Sequence, residues 1–148
     1  MPSLEDLRKP QKFVCTHLAD AQFVSEGFRK TSIYRDLKLT EATHGAVKAH
    51  VIRNGAAFDH TAANAVEHAH VLDFHFVYML KGWIKMRIGN EEITVSEGSA
   101  FLLPGGMFHT VLGYSDDREL LEIMMPSDVG TIDAPPVVTD ASGVVADR

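Results

Sequence analysis

The eight histidines are spread unevenly along the chain, and four of them, His60, His68, His70 and His75, fall within sixteen positions. Imidazole is the commonest ligand for a transition metal, but a site needs several rings that converge on one point. His68 and His70 are separated only by Ala69. In an extended strand, side chains alternate between faces, so both rings project from one face with Cα atoms roughly 6.6 Å apart, and both can reach one ion at ~2.0–2.1 Å. Such a pair also occurs on solvated strand faces with no ligand role, so it needs support from elsewhere. His75 opens the next apolar run, and on a neighbouring antiparallel strand it can lie across from the pair. His109, in PGGMFHTV, can arrive from a third strand. Cys15, the single cysteine, has no partner for an internal disulfide or a thiolate site, which leaves His or carboxylate to hold any metal.

Elements that could position these rings are visible as short apolar runs between turn signals from Ala46 to Met125, with no sustained helical period. The runs are 47–53, 64–71, 74–80, 83–88, 91–95, 99–104, 108–114 and 119–125. Gly89-Asn90 is a tight hairpin signal, and Lys81-Gly82 and Glu97-Gly98 mark two further joints, so the pairing is expected to be antiparallel. Eight such strands predict an all-β sandwich or barrel. Upstream, Leu4 to Lys30 has no clean period and can hold a short helix and an edge strand. FRKTSIYRDL can be a strand that swaps across a dimer, Arg35 can reach an anionic ligand, or Arg29, Lys30 and Arg35 can form a plain solvated edge.

The glycine and proline frame around the histidines is more specific than the pair itself. His68-Ala69-His70, four residues to His75 and six more to Gly82 follow one spacing; Gly98, five residues to Pro104, then Gly106 and His109 follow another. Here the sequence resembles the cupin superfamily, whose two motifs are G(x)5HxH(x)3-4E(x)6G and G(x)5PxG(x)2H(x)3N. The resemblance covers about Ala62 to Gly113, with fifteen residues between Gly82 and Gly98 that suit a single hairpin. It implies an antiparallel jelly-roll barrel of the double-stranded β-helix type. It also implies one divalent transition metal held by His68, His70, His75 and His109, and a homodimer. The alternative for His75 is a core histidine satisfied by a neighbour, on a scaffold that has lost its metal. Three positions depart from the pattern: Ala62 for Gly, Gly113 for Asn, and His75 where the family's Glu ligand stands. Four neutral imidazoles would leave the full +2 of the ion on the site, so its open positions should prefer anions. Zn, Fe, Ni, Mn and Cu all accept imidazole.

Residues 1–45 are then expected to pack on the barrel or a dimer partner, 46–125 to form the barrel, and 126–148 to run over the surface as an acidic arm. Residues 115–148 carry eight acids and two bases, so they hold the whole net charge of -6. That balance disfavours nucleic acid as a partner. No run suits a membrane span, and MPSLEDLRKPQKF has no secretory apolar core, so a cytoplasmic protein is expected. In FHFVYML both strand faces are apolar, which calls for cover beyond the core and points to a dimer. Val77, Phe101 and Val111 are expected to line the site. Among possible proton-transfer groups, Tyr78, Glu67, Asp73, Glu122 and His60, none stands out. Two functions compete: a metal-dependent oxygenase acting on a small diketone, enediol or oxo acid, and a non-enzymatic metal-carrying module that binds a carboxylate.

Overall fold

A computed structural model describes residues 3, 10–25, 31–55 and 66–135. Ten strands follow one another: β1 (Ser32–Asp36), β2 (Lys48–Asn54), β3 (His68–Val71), β4 (Phe74–Lys81), β5 (Trp83–Ile88), β6 (Glu91–Ser96), β7 (Ala100–Leu102), β8 (Thr110–Tyr114), β9 (Glu119–Met125) and β10 (Gly130–Asp133). A single helical turn, α1 (Leu39–Ala42), lies between β1 and β2. The sheets run β1-β2-β9-β4-β7, β10-β3 and β6-β5-β8, and all pairs are antiparallel. A backbone bridge between His68 and His109 joins the two smaller sheets. Five strands therefore face five, as in the expected jelly-roll barrel.

Alternation decides what each strand buries. In β4, His75, Val77 and Met79 point inward and are buried, while Tyr78 and Leu80 on the other face remain exposed. The apolar core gathers Val77, Met79, Ile84, Met86 and Leu120. His75 stands two residues from Val77 on the same inner face, so polar site and apolar core are stacked along one barrel interior. Gly82 has φ +68°, and a Cβ there would stand 1.9 Å from Ser115 Oγ, so the β4–β5 joint requires glycine. At Gly105 a Cβ would meet the Leu72 carbonyl at 2.1 Å, which lets the turn before His109 press against the end of β3.

Two segments outside residues 46–125 join the sheets. The stretch before the barrel contributes β1 as the edge strand of the larger sheet, and Arg35 donates to the Thr16 carbonyl and hydroxyl at 3.3 Å. That cation ties the chain to itself. Beyond Pro126, where a surface arm was expected, β10 pairs with β3 in the register Thr131 to His70. Its residues are exposed, as the polar composition implied, but the backbone is anchored by the free edge of β3. His60, Ala62, Arg29 and Lys30 lie outside the described residues. Among the described residues no helix is long and apolar enough to cross a membrane.

Candidate metal centre

The first two rings are brought together by backbone alone. His68 and His109 exchange both N–H···O bonds at 2.9 Å, which makes them a directly opposed antiparallel pair with side chains on one face. Their ring centroids lie 4.3 Å apart. Alternation along β3 then places His70 on the same side, 5.0 Å from His68 and 5.2 Å from His109. One nitrogen from each of His68, His70 and His109 falls within 4.8 Å of the others, a spacing on the scale of a single coordinated ion.

Each ring is also held in orientation. His68 Nδ1 donates to the Val66 carbonyl at 2.9 Å and His109 Nδ1 to the Met107 carbonyl at 3.1 Å. A carbonyl can only accept, so the proton sits on Nδ1 and the lone pair on Nε2 in both neutral rings. The Thr131 hydroxyl lies 3.3 Å from His70 Nδ1. These are the outer hydrogen bonds that metal-ligating imidazoles generally make. Burial, reinforced by His75, His109 and His68, lowers the His70 pKa to about 4, so the ring is neutral and able to ligate near pH 7.

His75 arrives from the opposite sheet. It was expected to lie across a neighbouring strand from the HxH pair; instead β3 pairs with β10, and β4 lies between β7 and β9 in the facing wall. The His75 ring is nevertheless 5.2 Å from that of His70. Its Nε2 donates to Glu122 Oε1, and its Nδ1 is buried without a hydrogen-bond partner. The other oxygen of Glu122 accepts from His50 Nε2. Burial alone would raise the Glu122 pKa, but the donors from His50 and His75 outweigh it and hold the carboxyl well below the usual range. The cavity lining thus also contains a carboxylate, Glu122, bonded to His75 and His50.

A cavity of about 80 Å³ connects these groups, with Val77, Phe101 and Val111 in its walls as expected. Leu121, Ile123 and Met125 lie on the opposite face of β9 from the inward Leu120 and Glu122. Arg118 lines the cavity too, donating to Ser32 Oγ at 2.8 Å and lying 3.8 Å over the Tyr114 ring. His50, Thr131 and Arg118 carry no site signal in the sequence, and Glu122 does not stand out there among the possible proton-transfer groups. For Glu122 a signal existed: an acidic residue amid the apolar run ELLEIMM, in phase with the inward-facing Leu120 and Met124.

The three oriented imidazoles fit a divalent metal, and the described residues offer no second convergent set of three such ligands. His75 is not among the ligand atoms that converge within 4.8 Å, although its Nδ1 is buried without a partner beside the same cavity. A cupin-domain family model matches residues 58–124. No curated protein sequence matches the chain. Among solved structures the chain is similar to the polyketide cyclase RemF from Streptomyces resistomycificus (19% identity over 84% of this chain and 87% of that one, TM-score 0.61). It is also similar to the iron(II) form of HppE (13% identity, 76% and 60% covered, TM-score 0.56). A third likeness is to the nucleoside dehydratase Pac13 (7% identity, 82% and 92% covered, TM-score 0.55). At these identities the likeness is one of fold. The family match over residues 58–124 and this likeness in fold agree with the jelly-roll barrel and the two motifs in register.

Proposed function

We propose that the protein is a metal-dependent enzyme in which His68, His70 and His109 hold one divalent transition metal through Nε2 and His75 joins them through Nδ1. Its substrate is a small oxygen-rich molecule that chelates as an anion: an enolised diketone, an enediol or a 2-oxo acid. The observation that carries this reading is the convergence of three imidazoles, each with Nδ1 engaged behind it, on an apolar-walled cavity. When bound, the metal supplies Lewis acidity that polarises the C–O bonds of such a substrate toward reaction with dioxygen. Val77, Phe101 and Val111 exclude water and so strengthen the attraction of the site for an anion. Arg118 adds positive charge to the same cavity. The likeness in fold to a polyketide cyclase and to an iron(II) protein is in keeping with this chemistry.

Elemental analysis of the purified protein and oxygen-electrode traces test the reading. The iron-loaded protein should consume dioxygen in step with a β-diketone or enediol, and the zinc-loaded protein should not. Calorimetric binding of a simple carboxylate with no consumption across such a panel would instead make the protein a binding module. The outer face of β4 and its neighbours exposes Tyr78, Leu80, Leu102 and Met125, and Phe74 and Phe76 stack beside them. A homodimer that covers this face belongs to the proposal. Light scattering should give twice the chain's 16.3 kDa; a mass equal to it at micromolar concentration would remove the dimer.

A further inference from the structure

We propose that Glu122 is a positioning residue for the metal centre: clamped between His50 and His75, its carboxylate fixes the His75 ring with the proton on Nε2 and the lone pair on Nδ1, and its charge offsets that of the ion. The inference rests on the metal reading above and deepens it.

The clamp is built from three adjacent strands. His50 on β2 stands directly opposite Glu122 on β9, and Glu122 in turn stands opposite Val77 on β4. His75 is therefore the diagonal neighbour, within reach of a long side chain on the same face. Each carboxylate oxygen takes one imidazole. A purely structural role explains this poorly. Three polar side chains are desolvated together, and apolar residues of like volume generally hold such a position at least as well. Had His75 served only to pack, its second nitrogen would be expected to find a partner, as buried polar atoms do. Instead Nδ1 is unpaired in a residue that lines the same cavity as the triad. An ionised carboxylate only accepts, so the neutral His75 ring donates through Nε2 and keeps Nδ1 as its basic nitrogen.

Zinc and cobalt(II) titrations of the full chain test the assignment. In Glu122→Gln the amide offers one acceptor and one donor face, so one of the two imidazoles must accept through Nε2 and move its proton to Nδ1. Zinc affinity should fall ten- to hundred-fold, the scale set by residues that orient a ligand. The cobalt absorption bands should shift with it, and ¹⁵N signals should show which of His75 and His50 has moved its proton. His50→Gln, which keeps a donor for Glu122, should retain near-native affinity, whereas His50→Ala should lose a few-fold; this pair keeps the test sharp if Glu122→Gln fails to fold. Native zinc affinity and an unchanged cobalt spectrum in folded Glu122→Gln, or in His75→Ala, would overturn the proposal. If His109→Ala loses zinc in the same experiment, the metal reading survives that result. A folded wild-type protein that takes up no zinc overturns both.

Discussion

On the β3–β8 wall of the barrel, His68 and His109 donate through Nδ1 to carbonyls two residues back, Val66 and Met107, and so present Nε2 to the interior. On the facing β2–β9–β4 wall, His50 and His75 donate through Nε2 to a carboxylate. The same side chain is turned opposite ways by its hydrogen-bond partner. The contrast teaches that a histidine's usable nitrogen depends on what stands behind or across from it. On the first wall that partner is the ring's own strand, so orientation is a local matter. On the second it is Glu122, 72 residues from His50 and 47 from His75, so orientation exists only once the sheet has formed.

The largest expected effect breaks the first wall. His70→Ala and His109→Ala should abolish stoichiometric metal, and elemental analysis showing metal unchanged in both would refute the triad. His75→Glu should keep the metal, because it restores the ligand usual at that spacing in the motif the sequence resembles, but it sets a second carboxylate against Glu122. Like charges in a buried site repel, so this variant should be less stable without metal, and adding Glu122→Gln should restore stability.

Breaking the second wall comes next. Glu122→Leu leaves two buried imidazoles without their acceptor, a loss of about 3 kcal/mol. Calorimetry of the metal-free protein should show Tm lowered by about 10 °C. A shift of about 1 °C or less would mean that the clamp contributes little to the fold.

A pH series separates the walls more finely. The His70 pKa is about 4 in the folded chain against 6.5 unfolded, so the unfolded chain takes up the proton first. Its contribution to stability is complete above pH 6.5 and is lost as pH falls from 6.5 toward 4. Glu122 is also depressed, from 4.5, so its contribution is lost only below that value and leaves the upper window to His70. Metal-free protein should therefore melt lower at pH 5 than at pH 7, and His70→Gln should flatten the slope. A wild-type Tm that is equal at the two pH values, or higher at pH 5, would contradict the assignment.

The smallest effect concerns β10. Thr131→Val removes the hydroxyl 3.3 Å from His70 Nδ1 without changing shape, and zinc affinity should fall a few-fold at nearly constant Tm. Unchanged affinity would reduce β10 to cover for the edge of β3.

Much of this was legible in the chain. Alternation in β3 puts His68 and His70 on one face whatever lies beyond, and the Gly82 joint needs the positive φ that glycine supplies. Strand runs were readable because period-two alternation is a property of consecutive residues; Trp83–Ile88 and Glu119–Met125 fall where the pattern put them. The run at 99–104 shortens to Ala100–Leu102 because Pro104 has no N–H to extend the ladder. What tertiary structure alone decided is which walls meet. No spacing says that β10 returns 61 residues later to set Thr131 beside His70, or that β9 inserts between β2 and β4 and carries Glu122 between two histidines. Strand order depends on the burial of whole faces, a sum over the entire barrel, whereas side-chain direction along one strand depends only on the pleat.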